Sequence, residues 1–126
     1  MKNTVLKEPT RTTPFIKLDY NHGLIEFKGK MTPENCSDLF DPIIQWIDEY
    51  INEPLERTEL NIQLEYFNTR SSVYLLDIFR KFESLLNNNR KIIINWICES
   101  DDFDMIEAGE DYQAIINVPI NIVEHN

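Results

Sequence analysis

Three hydroxyls lie within four residues in Thr69-Arg70-Ser71-Ser72, directly after the strand-like run Leu64-Glu65-Tyr66-Phe67-Asn68. A hydroxyl at a strand-to-helix turn has two chemical uses. It can accept a hydrogen bond from a free amide and cap the helix. It can also take a phosphoryl group, which adds roughly 1.5 to 2 negative charges and strong acceptor oxygens. The free amides and dipole of a helix N-terminus accommodate that anion without unfolding the domain. Spacing alone favours the cap over the phosphosite.

The remaining chemistry-bearing residues are sparse. Glu99, Asp101, Asp102, Asp104, Glu107, Glu110 and Asp111 crowd one segment that contains no Lys or Arg. Asp102 and Glu107 are the carboxylates that metal-assisted hydrolysis would use, and Asp101-Asp102-Phe103-Asp104 offers oxygens to calcium or magnesium. The spacing fails the EF-hand pattern, because Gly109 does not stand at the turn position of such a loop. A solvated acidic face or protein-binding surface is the expectation. His22 falls in a turn and His125 beside the C-terminus, neither placed like a base inside a pocket. No Gly-rich phosphate loop, G-x-S-x-G or H-E-x-x-H string occurs. Cys36 and Cys98 form no C-x-x-C pair and read as packing residues. The expectation is a protein that is not an enzyme and carries no cofactor.

The elements that must position these residues follow from periodicity. Pro14 to Asp19 and Leu24 to Lys28 alternate around Asn21-His22-Gly23, which predicts a hairpin, with Gly29 ending its second strand. Thr32, Pro33 and Glu34 suit the cap, first position and first turn of a helix. Leu39, Ile43, Trp46 or Ile47 and Tyr50 mark its apolar face, and Pro42 predicts a break recapped by Asp41. Leu60, Ile62, Leu64 and Tyr66 predict a strand with one apolar face, and Ser72 to Leu86 a helix ending at Asn87-Asn88-Asn89. Lys91 to Cys98 reads as a central strand buried on both faces. Met105 or Ile106, Tyr112 and Ile115 or Ile116 predict a last helix despite Gly109, and Val118 to Val123 a short strand or packed tail. Strands separated by helices after an opening hairpin define an α/β sandwich, a mixed sheet packed with helices.

A chain of 126 residues is expected to be one domain over 1-126, with 1-13 a flexible or extended lead. Its net charge of −10, from 22 acidic against 12 basic side chains, repels nucleic acid and anionic membranes. No run approaches the roughly 20 apolar residues of a membrane span. The N-terminus lacks an apolar signal core, so a cytoplasmic location is expected.

The motifs taken together resemble the SiaC-type regulatory phosphoproteins. The resemblance covers nearly the whole chain. It rests on Thr13-Pro14, on Gly29-Lys30-Met31-Thr32-Pro33-Glu34-Asn35, on Pro42 with Trp46 and Tyr50, and on Leu64-Glu65-Tyr66-Phe67-Asn68-Thr69. It continues through Leu75-Leu76-Asp77, Trp96, and the acidic run from Asp101 to Tyr112. It implies a single-domain fold like the SpoIIAA-type, STAS-like anti-sigma factor antagonists, with the phosphoacceptor at the start of a helix that follows a strand. It further implies that Thr69 is phosphorylated by a SiaB-like kinase and dephosphorylated by a SiaA-like metal-dependent phosphatase. The bare form would bind and activate a diguanylate cyclase, raising cyclic di-GMP and influencing aggregation and biofilm formation. Arg70 and Val73 depart from a family pattern of Thr-Ser-Ser followed two residues on by lysine. Candidate partner contacts are Asn68, Arg70, Ser71, Glu34, Asn35, Asp101, Asp102, Asp104 and Glu107. The competing readings are a constitutive scaffold in which Thr69 merely caps a helix, and the metal-dependent hydrolase above.

Overall fold

The computed structural model describes residues 4–126. Three strands open the chain, β1 (Val5–Lys7), β2 (Phe15–Asp19) and β3 (Leu24–Met31), and each pairs antiparallel with the next. Three crossovers follow: α1 (Cys36–Asn52) leads to β4 (Arg57–Phe67), α2 (Thr69–Glu83) to β5 (Lys91–Glu99), and α3 (Phe103–Ile115) to β6 (Ile120–His125). Strands β3 to β6 are parallel, and the six-stranded sheet keeps the sequence order throughout. Because all three crossovers step in one direction, the right-handed rule puts all three helices on one face.

Burial agrees with that placement. Leu60, Ile62 and Leu64 of β4 and Ile92, Ile94, Trp96 and Cys98 of β5 are buried, while Glu59, Asn61, Gln63, Ile93, Asn95 and Ile97 between them are half-exposed. The core lies between this inner sheet face and Phe40, Ile47 and Tyr50 of α1, Leu75, Ile78, Phe79 and Phe82 of α2, and Met105 and Tyr112 of α3. Strand β5 is therefore covered on one face only, not both as its apolar run implied. Its outer side chains join a polar ladder in which Asn95 Nδ2 donates to Asn61 Oδ1 at 2.8 Å and Asn121 Nδ2 to Asn95 Oδ1 at 3.3 Å. Residues Val5–Lys7 of the lead are sheet, and Met1 to Asn3 lie outside the described residues.

Four local expectations are corrected. Helix α1 begins at Cys36 with Asn35 as its cap, not at Thr32 and Pro33; the Asn35 side chain accepts from the amides of Ser37 and Asp38. The helix also runs unbroken through Pro42. Leu39, Phe40, Ile43, Trp46, Ile47 and Tyr50 form one buried stripe, which stays in phase only if the helix is continuous. Pro42 and Asp38 face solvent, so the carbonyl that proline leaves without its usual donor is on the side open to water. Gly29 does not end β3. It has φ +124° and sits where the register against β4 shifts, with Gly29 opposite Leu64 and Lys30 opposite Tyr66. That shift leaves Glu65 as an extra residue and reverses which side chains face inward. Tyr66, expected on the core face, is thus 61% exposed, and Phe67 instead packs edge-on to Trp96 with ring centroids 5.9 Å apart.

Candidate functional site

In a parallel crossover each helix begins where its preceding strand ends, so the N-termini of α1, α2 and α3 all lie along the C-terminal edge of the parallel strands. Open α/β sheets bind ligands at that edge. The residues singled out from the sequence arrive there together: Glu34 and Asn35 before α1, Asn68 to Ser71 at α2, and Asp101, Asp102 and Asp104 at α3. Glu107 lies further along α3 and is exposed.

The centre of the edge is the β4-α2 turn. Helix α2 starts at Thr69, three residues before the predicted Ser72, because Asn68 supplies the cap. Asn68 Oδ1 accepts from the Ser71 amide at 2.9 Å, and its Nδ2 donates to the Pro33 carbonyl at 3.3 Å. The Asn68 amide donates to the Met31 carbonyl at 3.2 Å, which ties the turn to the β3-α1 loop. Thr69 is therefore not the cap, which corrects the scaffold reading on that point. It occupies the first helical position, exposed, and its hydroxyl makes no hydrogen bond among the described residues. Its carbonyl accepts from the Ser72 hydroxyl at 2.5 Å.

The electrostatics of the turn favour an added anion. No acidic residue occupies the first turn of α2, and Arg70 is exposed with no ion pair among the described residues. The dipole and the free first-turn amides add to that preference. Ser71, in contrast, is wholly buried, with its hydroxyl 3.8 Å from Cys36 Sγ. It packs α2 against α1, and its earlier assignment as a partner contact is corrected. Asn35 and Asn68 likewise spend their side chains on caps.

The acidic segment is a helix with its own cap. Asp102 accepts from the Met105 amide at 3.1 Å, leaving Asp101 and Asp104 exposed at the start of α3. Asp102 lines a depression of about 270 Å³ with Glu65, Glu99 and His125, and Glu107 is not among its lining residues. No group of three or more His, Cys, Asp or Glu among the described residues is arranged to hold a metal ion. Burial pushes the Cys98 thiol up, and the charges of Glu124 and Asp102 push it further. Such a thiol stays protonated and packs as an apolar group.

Helix α3 is tied to helix α2. The Tyr112 hydroxyl donates to the Ser72 carbonyl at 2.7 Å, and its ring meets Phe79 edge-on. The exposure of two surface aromatics was not anticipated from the sequence, Tyr66 having been expected on the core face. Phe103, at the first position of α3, is 76% exposed, and Tyr66 stands just before the turn. Phe103 had a signal, since it sits among exposed carboxylates; Tyr66 had none, because the register shift that turns it out is invisible in one strand.

These features define a partner-binding regulatory domain, with its hydroxyl, charges and exposed aromatics gathered on one rim. Residues 7–125 match the SiaC family regulatory phosphoproteins, and the chain belongs to that family. The structure of SiaC of Pseudomonas aeruginosa is 25% identical, with 98% of this chain and 99% of that one covered and a TM-score of 0.89. The crystal structure of the diguanylate cyclase SiaD in complex with its activator SiaC, from the same organism, matches at 26% identity, 96% and 99% coverage and a TM-score of 0.90. An uncharacterized protein of Pseudomonas aeruginosa strain UCBPP-PA14 is 26% identical over 117 residues, 93% of each chain. The mixed α/β fold and the family resemblance read from the sequence both hold. No helix among the described residues is long and apolar enough to cross a membrane.

Proposed function

We propose that this protein is a phosphorylation-controlled partner switch in the cytoplasm, a binding module and not an enzyme. With Thr69 bare it binds and activates a diguanylate cyclase, raising cyclic di-GMP; phosphate on Thr69 releases the cyclase. The observation that carries this reading is the division of labour between neighbours. Asn68 caps α2, and Thr69 is left exposed with an unused hydroxyl. A kinase can reach that hydroxyl, and the phosphate it adds alters the docking rim without dismantling the helix. The SiaC structure solved with its cyclase supports the choice of partner. A SiaB-like kinase and a SiaA-like metal-dependent phosphatase are the proposed writers and erasers of the mark. Arg70 and the exposed Asp101, Asp104 and Glu107 are proposed to contact the partner around Thr69, with Glu34 at the rim's α1 end.

The test is recovery of the protein from its native host with phosphatases inhibited, followed by phosphosite mapping and comparison of what Thr69→Ala and Thr69→Glu retain. Phosphate on Thr69 and a cyclase held only by the alanine form is the expected result. An unmodified Thr69 with identical partners for both variants overturns the proposal.

A further inference from the structure

The opposite edge of the sheet, where the parallel strands begin, carries a second feature that the Thr69 switch does not use. Strand β5 starts at Lys91, yet β6 joins it only from Ile94 onward, where Ile120 is the first partner. An open groove of about 500 Å³ lies over the start of β5, which pairs with β4 but is free on its β6 side; it is walled by Leu86, Ile93 and Pro119 and edged by Arg90, Lys91 and Asn121. This volume falls within the roughly 300 to 1,000 Å³ of small-molecule sites.

Its charge runs against the rest of the molecule. The chain carries a net charge of −10, but no carboxylate lines this groove and two cations do. Arg90 is the unusual one. The residue is half-exposed and its charge is felt by the Tyr50 hydroxyl, but its guanidinium makes no ion pair and no side-chain hydrogen bond among the described residues, and its Nε is shut off from solvent without a hydrogen-bond partner. Leaving a buried charged donor unmatched is costly, and such a group usually marks a missing acceptor. The turn that presents it is well formed: Asn89 adopts a left-handed conformation at φ 58°, and the Arg90 amide donates to the Leu85 carbonyl at 3.3 Å.

We infer that this groove binds a small amphipathic anion, with its carboxylate or phosphate head on the Arg90 guanidinium and its apolar body along Leu86, Ile93 and Pro119. Arginine suits either head group, because its planar fork donates two parallel hydrogen bonds to paired oxygens. Lys91 adds charge at the mouth, and the apolar walls select against fully hydrophilic anions. The site lies at the far end of the strands from Thr69, so its occupancy and the phosphorylation state can be varied independently.

The experiment is titration of the full chain with decanoate, decyl phosphate and decanol below their aggregation concentrations, read by amide chemical shifts. Either anion is expected to saturate one site around Arg90 at least roughly tenfold more tightly than decanol, the value of one charge-assisted pairing. The tighter of the two identifies the head group. Arg90→Gln and, independently, Ile93→Glu should each weaken anion binding by a similar factor while retaining the melting behaviour of the parent. Arg57→Gln, a surface cation outside the groove, should leave it unchanged. Decanol binding as tightly as the anions, anion binding that survives Arg90→Gln, or no saturable shift around Arg90 overturns the inference.

Discussion

Asn68 Oδ1 accepts the amide proton of Ser71 at 2.9 Å and closes helix α2 one residue ahead of Thr69. Capping thereby falls to Asn68, which leaves the Thr69 hydroxyl free for the proposed phosphorylation. A threonine that capped its own helix would have to exchange its hydroxyl hydrogen bond for one to the phosphate on modification, so that capping geometry and signal would be coupled. On the proposed modification, the phosphate would arrive beside a cap that is already complete.

Stability should separate the two neighbours. Asn68→Ala is expected to cost about 1 kcal/mol, the usual loss of an N-cap, and Thr69→Ala no more than about 0.5 kcal/mol. Urea unfolding of the two variants measures both. Equal losses would mean that the Thr69 hydroxyl is structural after all.

Phosphorylated Thr69 should raise the melting temperature slightly or leave it unchanged, since the phosphate meets the positive end of α2 with no carboxylate in the first turn to oppose it. Any gain should shrink as salt is added. A phosphoprotein that melts well below the bare form would show that the switch works by unfolding.

Gly109 presses against the indole of Trp96. A Cβ built there would stand 2.6 Å from Trp96 Cδ1, and Trp96 cannot retreat, because it is buried and its Nε1 donates to the Met105 carbonyl at 2.9 Å. Gly109→Ala should therefore destabilise by about 1 to 3 kcal/mol from overpacking, against a helix-propensity gain of about 1 kcal/mol. Denaturant midpoints followed by tryptophan fluorescence test the sign, and a stabilised variant would contradict this packing.

Tyr112→Phe removes only the hydroxyl that donates to the Ser72 carbonyl. The expected cost is about 1 kcal/mol, with faster hydrogen exchange in the first turns of α2. Exchange confined to α3 would show that the two helices are not coupled through this bond.

The hairpin carries an acid-sensitive contact. Asp19 is buried, which by itself raises its pKa, but the hydrogen bond with His22 at 2.7 Å and the charge of His22 outweigh burial and hold the carboxyl below its usual value. A lowered folded-state value contributes stability above the unfolded carboxylate range, near about pH 3.9, and that stability is lost as pH falls through the lowered value. His22→Gln should flatten this acid dependence. Unfolding free energies compared between about pH 6 and about pH 3 decide it, and parallel curves for parent and variant would remove Asp19 from the account.

Most of the helix and strand content was legible because burial here is one-sided and therefore periodic. Leu39, Ile43 and Tyr50 announced α1, and Leu60, Ile62 and Leu64 announced β4. Pro42 misled because a local breaker was weighed without the stripe that continues past it. The apolar run of β5 misled because Ile93 and Ile97 look like core until the outer face proves to have no covering layer. The site was partly legible: Thr69 was found at the right junction, but Asn68 was not recognised as its cap, nor Ser71 as buried.

The amino-acid sequence by itself determined the family, the α/β class, the acidic surface and the hydroxyl at a strand-to-helix turn, since these depend on residue type and short-range spacing. Only the tertiary structure decided which hydroxyl is free. Ser71 faces Cys36 on another helix, and Asn68 is held by Met31 and Pro33 from another strand and its loop. The parity of Tyr66 and Phe67 depends on the register of β4 against β3, and the groove beside Arg90 on where β6 begins beside β5. Each of these is set by contacts between segments far apart in the chain, which no local pattern encodes.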